Sequence, residues 1–393
     1  MKFSSRHCLG VLSGALLSTL LPLSAASKGT LVIGHVTTLT GSDSYIGPGA
    51  VPALEDEVAK INAAGGINGW NLKVISYDGQ SLPAECVAVT KRLIDQDKVI
   101  GIIGPSFSGA GIPMAKIADD SKVPIIATTA TNINVTIDQS GKIHPYMFRV
   151  CFIDPYQGTA LADYCYNKLG KRNAAFITDV ASPYTVALHQ FFRERFTKLG
   201  GQIVCDEGYN KGDQEFRAQL AKVKASKADV LVSCGDNYKD PGLIAKQAKA
   251  LNVTCQMIGG DGWMVEEILP YAGKELDGAF FTCVAYVDDP NFSVFKATYA
   301  KNHPGKEANI WGFLGLDGLK IMENAIKVVT ANNAPWSQEK FRDAIEATKD
   351  LPVFTAAKFT FDKATHNPLN KPVILLQIKD GKFKYLESYA PKS

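Results

Sequence analysis

The chain has 393 residues, with 42 Lys and Arg against 39 Asp and Glu, so its net charge is only +3. Basic and acidic residues are interspersed without a basic patch or stripe, which excludes the usual nucleic-acid-binding surface. At about 100 to 200 residues per domain, the length suffices for two domains, each with its own hydrophobic core.

The first 26 residues have the pattern of a secretory signal peptide. Lys2 and Arg6 form a basic start, residues 9–23 are apolar but too short to span a bilayer, and small residues end the segment at Ala26. We therefore predict cleavage near Ala26 and export of the remaining chain. No later segment of the sequence is long and apolar enough to cross a membrane.

From residue 31 onward, strand patterns and helix patterns alternate. The first half is predicted to contain strands at 31–36, 72–76, 99–103 and 123–127, with helices at 49–63 and 83–94 and another before the fourth strand. After a crossing segment at 146–152, the second half is predicted to contain helices at 154–169 and 184–199, strands at 174–177, 229–233, 256–258 and 279–284, and further helices between them. Helices at 292–301, 310–329 and 337–347 are followed by strands at 358–361, 373–378 and 384–386. This alternation predicts an α/β fold of two halves, each with a parallel sheet covered on both faces, and a cleft between the halves.

The third and fourth predicted strands end in two loops that are rich in hydroxyl groups. The first loop carries Ser106 and Ser108, and the second carries Thr128, Thr129 and Thr131. Because parallel strands deliver their carboxyl ends to one edge of a sheet, these hydroxyls should converge. The first loop also opens a helix, whose N-terminal N–H groups favour an anion. We interpret this region as an anion-binding corner, although Ser and Thr also serve as ordinary loop and capping residues.

Residues suited to the opposite end of a small ligand follow strands of the second half. Asp261 and Trp263 lie in a Gly-rich turn after one strand, and Tyr184 lies in the loop after another. Tyr45 and Phe107 belong to loops of the first half that face the same way. Together these residues predict an apolar pocket with an anion corner on one wall and an acid on the other, which suits a zwitterion.

The sequence lacks the common catalytic and metal-binding signatures. It contains no phosphate-binding loop, zinc-protease motif or dinucleotide fingerprint. Residues 104–108 resemble a nucleophile elbow, but Ser108 replaces the second glycine, and none of the histidines has a recognisable acid partner. We expect neither a cofactor nor a metal ion, and keep a secreted serine hydrolase using Ser106 or Ser108 as the alternative from another class.

Seven of the eight cysteines follow the signal segment. None shows the C-x-x-C spacing of a metal site. Because an oxidising compartment favours disulfides, we expect some pairing. Cys205 with Cys234, and Cys255 with Cys283, end neighbouring candidate strands and are the pairs we consider, while the odd number leaves at least one free thiol.

A series of motifs runs along nearly all of the chain after the signal segment. In order these are Leu39-Thr40-Gly41 with Gly47, Ile61-Asn62-Ala63-Ala64-Gly65-Gly66-Ile67-Asn68-Gly69, Tyr77-Asp78, Ile103-Gly104-Pro105, residues 124–131, and Asp213-x-x-Phe216. In combination they resemble the periplasmic solute-binding proteins of branched-chain amino-acid ABC importers, or type I periplasmic binding proteins. The resemblance implies two Rossmann-like lobes joined by a three-crossover hinge, with residues 27–150 and 285–370 in one lobe and 151–284 and 371–393 in the other.

The resemblance also implies roles for individual residues. Ser108 and Thr131 would hold the ligand's α-carboxylate, with backbone groups at Thr129 assisting. Tyr184 matches the family's tyrosine in the second lobe, and Asp261 occupies the place of a glutamate that takes the α-ammonium. Trp263 would narrow the pocket or stack on an aromatic ligand.

The function that follows is capture of a small amphipathic ligand and its delivery to an ABC transporter permease. A branched-chain or other hydrophobic amino acid is the leading ligand, and an aromatic carboxylate, amide or urea is the alternative within the same fold. We expect a monomer. Asp261 should discriminate between these ligands, because a ligand without an ammonium would leave the Asp261 carboxylate poorly paired.

Overall fold

The computed structural model describes residues 27–390, so the predicted signal peptide lies outside the described residues. The strands in this range are β1 Gly29–Thr37, β2 Trp70–Asp78, β3 Gly101–Ile103, β4 Ile125–Ala127, β5 Met147–Arg149, β6 Asn173–Asp179, β7 Gln202–Tyr209, β8 Val230–Val232, β9 Gln256–Gly259, β10 Phe280–Cys283, β11 Leu351–Val353, β12 Ala356–Phe359, β13 Val373–Lys379 and β14 Lys382–Tyr389. The α-helices are α1 Gly47–Ala63, α2 Pro83–Asp95, α3 Ser108–Ser121, α4 Asp154–Asp163, α5 Pro183–Lys198, α6 Arg217–Ser226, α7 Lys239–Ala250, α8 Ile268–Ala272, α9 Ser293–Asn302, α10 Ile310–Val329 and α11 Gln338–Glu346. None of these helices combines the length and apolarity needed to cross a bilayer.

The first sheet contains five strands in the order β2-β1-β3-β4-β5, and all of its neighbouring strands are parallel. Its central strands are short and buried, as expected where helices cover both faces. The carboxyl ends of β1, β3 and β4 therefore share one edge. This arrangement confirms the predicted α/β class and places the two hydroxyl-rich loops side by side.

The second sheet contains seven strands in the order β14-β13-β10-β9-β8-β6-β7. Strands β10, β9, β8, β6 and β7 are parallel neighbours, whereas β13 and β14 form an antiparallel hairpin at one edge. The hairpin turns at Asp380 and Gly381, whose φ angles of 54° and 67° suit a tight two-residue turn. The hairpin predicted from Asp380-Gly381 is confirmed.

The chain passes between the two sheets three times. It leaves the first sheet after β5, returns after β10 to place α10 against α1 and α11, and crosses again before β13. Near this last crossing Lys371 Nζ lies 3.4 Å from Asp317 Oδ2 of α10, and both side chains are almost fully buried. Buried partners of opposite charge fix the position of the crossing relative to the helix.

Two short strands, β5 and β11, were not predicted. The crossing segment 146–152 contains β5, whose three residues are all buried. Strand β12, near the predicted 358–361, pairs with β11 in a small separate sheet rather than joining a large one. Three-residue strands offer no periodicity, so their sequences do not distinguish them from connecting segments.

The expectation of disulfides is wrong for the described residues, in which all seven cysteines are free. Strand β6 lies between β7, which carries Cys205, and β8, which Cys234 follows. Cys255 and Cys283 lie near neighbouring strands but at opposite ends, because Phe280 of β10 already pairs with Ile258 of β9. Neither pair therefore meets the close approach that a disulfide requires.

Candidate functional site

The loops after β3 and β4 form one hydrogen-bonded wall. The hydroxyl of Thr128 donates to Ser106 Oγ at 3.2 Å, its N–H donates to the Pro105 carbonyl at 3.1 Å, and the hydroxyl of Thr129 donates to the Ser106 carbonyl. Gly104 has a φ of 102°, and a Cβ there would stand 2.2 Å from the Val36 carbonyl oxygen. Only glycine allows this close approach of the first loop to β1. The hydrogen bonds of Thr128 and Thr129 to the first loop confirm the predicted convergence of the two loops.

Ser108 is the first residue of α3 and is almost fully buried. Its Oγ accepts a hydrogen bond from the Asn132 N–H at 3.1 Å, which leaves the hydroxyl proton available to donate elsewhere. The side chain also lines a cavity between the two sheets. Ser108 is therefore a neutral donor beside the first-turn N–H groups of a helix, as predicted for an anion corner.

Thr131 differs from Ser108 in where its hydroxyl lies. The side chain is fully buried, and its hydroxyl has no hydrogen-bond partner of good geometry. It lies near the carboxyl of Asp154 and lowers the pKa of that group, which burial raises to about 7. Thr131 is not among the residues that line the cavity, although it precedes Asn132, which bonds to Ser108.

The sequence interpretation missed Arg149, which donates hydrogen bonds to the backbone of the second loop. This fully buried side chain donates from Nη1 to the carbonyls of Ala130 and Asn132, at 2.7 and 2.8 Å, and from Nη2 to the hydroxyl of Thr136 at 3.0 Å. Its position inside an apolar run of the sequence could have indicated this role, because a buried arginine needs hydrogen-bond partners for its charged group. Arg149 thereby fixes the loop between Thr129 and Asn132.

Asp261 lies on the wall formed by the second sheet. It follows β9, is only 9% exposed, and its Oδ1 has no hydrogen-bond partner. Burial raises the pKa of this carboxyl to about 6, while the Tyr184 hydroxyl and the Gln157 side chain partly offset the rise. Asp261 is thus a buried acid whose charged form has few partners, which favours a ligand cation beside it.

The glycines on either side of Asp261 allow close packing. A Cβ on Gly260 would stand 2.1 Å from the Tyr184 hydroxyl, and one on Gly262 would stand 2.3 Å from the Gly235 carbonyl. The Gly262 N–H donates to the Tyr184 hydroxyl at 3.2 Å. Tyr184 and Asp261 both line the cavity, so the structure brings these two predicted residues together.

Trp263 does not lie on the cavity. Its indole is fully buried, donates from Nε1 to the Ser233 carbonyl at 2.9 Å, and packs near Phe281 in the core of the second sheet. The expectation that it narrows the pocket or stacks on a ligand is therefore corrected. A 3-10 turn at Asp261–Trp263 directs the Asp261 carboxyl to the cavity and the Trp263 indole to the core. The residue types alone do not indicate this difference.

The remaining walls are apolar. Tyr45 and Phe107 line the cavity as predicted, and the structure adds Trp311, whose ring centroid lies 5.2 Å from that of Tyr45. Further apolar lining residues are Ile46, Met264, Val284 and Ile310. Tyr45, Met264, Ile310 and Trp311 also border a wider neighbouring groove. These apolar side chains suit a ligand with a hydrophobic side chain.

Two acids of the cavity were not singled out from the sequence. Asp43 lies in the loop after β1 and Asp236 in the loop after β8, so they face each other from the two sheets. Burial raises the pKa of Asp43, and it raises the pKa of Asp236 to about 7. Neither residue belongs to a recognisable motif, and only the packing of the two sheets brings them to one cavity.

A hydrolytic site would need a base beside Ser106 or Ser108. No histidine lines the cavity as the described residues form it. His189 is tied to the Thr178 hydroxyl at 2.6 Å and accepts from the Cys234 N–H at 3.3 Å, and burial lowers its pKa to about 3. The described residues also contain no group of three or more His, Cys, Asp or Glu arranged to hold a metal ion.

Comparison with known proteins places this architecture among relatives. The model of the periplasmic binding protein family matches residues 30–382. A Pseudomonas aeruginosa protein named amino acid binding protein is 34% identical over 269 residues, covering 67% of this chain and 69% of that protein. A Brucella abortus protein named Leu/Ile/Val-binding protein homolog 2 is 27% identical over 380 residues, covering 95% of this chain and 98% of that protein.

A solved structure has the same architecture throughout. The branched-chain amino acid transporter substrate binding protein LivJ from Streptococcus pneumoniae, in complex with isoleucine, superposes with a TM-score of 0.82 at 29% identity, over 92% of this chain and 100% of that one. Together with the family match, this superposition shows that the chain belongs to the periplasmic binding protein family.

Proposed function

We propose that this protein captures a small α-amino acid between its two lobes and delivers it to an ABC transporter permease in the inner membrane. The proposal rests on the observation that one cavity carries groups suited to both the carboxylate and the ammonium of an amino acid. A hydroxyl-lined helix N-terminus faces a buried, poorly paired carboxyl across apolar side chains. The relatives named for amino-acid binding, and the isoleucine complex of the Streptococcus pneumoniae protein, support the same ligand class.

The carboxylate end of the ligand is assigned to the first wall. The Ser108 hydroxyl proton and the first-turn N–H groups of α3 donate to it. Because the Thr129 hydroxyl already donates to Ser106, Thr129 contributes through its backbone, and Thr131 acts by shaping the loop rather than by contact. Asp261 accepts from the α-ammonium, with Tyr184 beside it, and Tyr45, Phe107 and Trp311 enclose the side chain.

The energy required is within reach of these contacts. Charge-assisted hydrogen bonds contribute on the order of 1.5 to 3 kcal/mol each, and micromolar binding requires about 8 kcal/mol. Three or four such bonds, together with exclusion of water by closure, supply this amount. We assign residues 27–150 and 285–370 to one lobe and 151–284 and 371–393 to the other, with closure by bending at the crossings. The protein acts as an exported monomer after cleavage near Ala26.

Binding can be tested on the purified mature chain, residues 27–393. A thermal-shift screen should compare leucine, isoleucine, phenylalanine, lysine, arginine, benzoate and urea, followed by isothermal titration of each compound that stabilises the protein. A ligand present at about 1,000 times its Kd adds about 4 kcal/mol to the free energy of unfolding. Stabilisation by amino acids but not by benzoate or urea supports the proposal. Stabilisation by benzoate or urea alone would replace it with the alternative ligand class.

The hydrolase alternative is addressed by a separate experiment. The mature protein is incubated with a serine-reactive fluorophosphonate probe and with an esterase substrate, beside a known serine hydrolase as the positive control. Because no histidine lines the cavity, we expect neither labelling nor turnover. Labelling located at Ser106 or Ser108 by mass spectrometry would establish an activated nucleophile and contradict a purely binding role.

A further inference from the structure

The cavity holds more carboxyl groups than one α-ammonium can pair with. Asp43, Asp236 and Asp261 all line it, whereas no lysine or arginine does among the described residues. Asp43 is only 3% exposed, and its Oδ1 has no hydrogen-bond partner. This unpartnered oxygen is an independent sign, beyond the clustering of acids, that a donor from outside the protein belongs beside it.

The protein's own cations do not pair with these acids. In the described range, no Lys, Arg or His nitrogen lies within 4.0 Å of a carboxylate oxygen of Asp43, Asp236 or Asp261. Lys211, which is exposed, acts on Asp43 and Asp236 only at longer range, as does Lys239 on Asp43. The Ser182 hydroxyl lowers the pKa of Asp236, and the Ser42 hydroxyl lowers that of Asp43, but neither is a cation. The region beside Asp43 and Asp236 is therefore under-neutralised.

A neutral amino acid would leave this imbalance in place. Its carboxylate and ammonium cancel each other, so the charges of Asp43 and Asp236 would stay buried without a partner or would have to be neutralised by protons. A second cation on the ligand removes this cost. The described residues provide no metal-binding cluster, so the missing cation is not expected to be a metal ion held by side chains.

The apolar walls accommodate the chain that would carry such a cation. The rings of Tyr45 and Trp311 adjoin at 5.2 Å between centroids, and Asp43 lies two residues before Tyr45 in the same loop. Methylene groups pack well on aromatic faces, and aromatic rings also attract an ammonium or guanidinium near them. An aliphatic linker that ends in a cation therefore matches both the rings and the acids.

We propose that Asp43 and Asp236 form a second subsite that binds the cationic end of a ligand side chain, so that the preferred ligands are basic amino acids. This inference rests on the proposed function, in which Asp261 and Ser108 hold the α-groups. The inference changes the expected ligand class from branched-chain to basic amino acids. The ammonium or guanidinium of the ligand side chain would be held between the two lobes. Asp43 contributes from the first sheet and Asp236 from the second, so the cation also bridges them on closure.

The test compares ligands that differ mainly in the side-chain cation. Isothermal titration of the wild-type mature chain is carried out with lysine and norleucine, ornithine and norvaline, and arginine and citrulline. We expect at least one basic member to bind about 30-fold or more tightly than its neutral counterpart, because a buried charge-assisted contact replaces two unpaired carboxylates. This comparison needs no variant, so it does not depend on any mutant folding.

Variants then locate the effect. Asp43→Asn and Asp236→Asn keep the shape of each side chain and remove its charge. Each should weaken binding of the preferred basic ligand about 10-fold or more while changing binding of its neutral counterpart by less than about threefold. Asp120→Asn is the matched control, since Asp120 is an exposed residue of α3 paired with Lys116, and should change neither affinity. Thermal melting of each variant confirms that it is folded.

The outcomes separate this inference from the proposed function. If the neutral amino acids bind as tightly as the basic ones or more tightly, the second subsite is wrong while capture of amino acids stands. The same conclusion follows if Asp43→Asn and Asp236→Asn leave the preference for the basic ligand intact. If no amino acid of either kind binds, the proposed function fails together with the subsite.

Discussion

The two walls of the cavity differ in how far the protein itself satisfies their polar groups. On the first wall, the hydroxyls of Ser106, Ser108 and Thr129 are neutral and each already has a hydrogen-bond partner within the loops. On the second wall, Asp261 is a buried acid with an unpartnered oxygen and a pKa raised by burial to about 6. The loop hydroxyls of the first wall are thus largely held by the protein itself, whereas Asp261 on the second wall has a carboxylate oxygen without a partner.

This difference assigns separate tasks to the walls. The preorganised, neutral hydroxyl-rich loops of the first wall lose little entropy when a ligand arrives, so they mainly fix the position and orientation of the carboxylate. A buried carboxyl in its charged state costs free energy until a cation pairs with it, so it contributes most to affinity and to the choice of ligand. The predictions below test this division, from the largest expected effect to the smallest.

Removing the charge of Asp261 should have the largest effect. In Asp261→Ala and in the isosteric Asp261→Asn, we expect affinity for an amino acid to fall about 100-fold or more, because the ammonium is then buried without its partner. Isothermal titration measures the loss, and circular dichroism should show an unchanged fold. Unchanged affinity in both variants would remove Asp261 from the site, whereas Asp120→Asn serves as the silent control.

Removing the Ser108 hydroxyl should have a smaller effect. Ser108→Ala deletes one donor to the carboxylate and the acceptor of the Asn132 N–H, and we expect affinity to fall about 10-fold, since a hydrogen bond to a charged group contributes about 1.5 to 3 kcal/mol. Ser121→Ala, at the far end of α3, is the matched control. A loss larger than that of Asp261→Ala would reverse the assignment of tasks to the two walls.

Acidification should weaken binding through protonation of Asp261. The pKa of Asp261 is raised to about 6, so its carboxyl becomes protonated as the pH falls through that value and no longer pairs with an ammonium. Affinity for an amino acid should therefore fall about 10-fold between about pH 7.5 and pH 5. In Asp261→Asn this part of the dependence should disappear. A ligand without an ammonium, such as benzoate, should show the opposite trend, because protonation relieves the unpaired charge.

Changing Trp263 should leave affinity nearly unchanged. Because its indole lies in the core and bonds to the Ser233 carbonyl, Trp263→Phe should lower the free energy of unfolding by about 1 to 3 kcal/mol while shifting affinity by less than about threefold. Chemical denaturation and isothermal titration on the same preparation measure the two quantities. A large loss of affinity at unchanged stability would return Trp263 to the cavity wall.

The sequence alone was sufficient to predict contacts that the order of strands and the type of turn determine. The Ser106 and Thr129 loops follow neighbouring parallel strands, so their approach follows from the βαβ order alone. The Asp380-Gly381 hairpin was predicted in the same way, because its turn type requires those residues. Tyr184 and Asp261 were assigned to one pocket because both follow strands at the carboxyl edge of the second sheet, the family resemblance added their roles, and both line the cavity.

The remaining features depend on how the parts pack. Trp311 reaches the cavity from the start of α10, far along the chain from Tyr45, and no local pattern indicates that contact. Trp263 was misplaced because a single 3-10 turn decides the direction of its side chain. The predicted disulfide pairs were wrong. Two cysteines approach each other only if their strands are neighbours and if they lie at the same level along those strands, and the sequence pattern shows neither.

Trp311 and Tyr45 stand between the ligand cavity and the wider groove beside it, and this partition has a practical consequence. Shortening Trp311 would join the two spaces, so a redesigned protein would accept longer compounds but would release them faster through the enlarged opening. Selectivity for size and residence time are therefore set by the same side chains. Engineering a sensor from this scaffold would have to adjust both properties together.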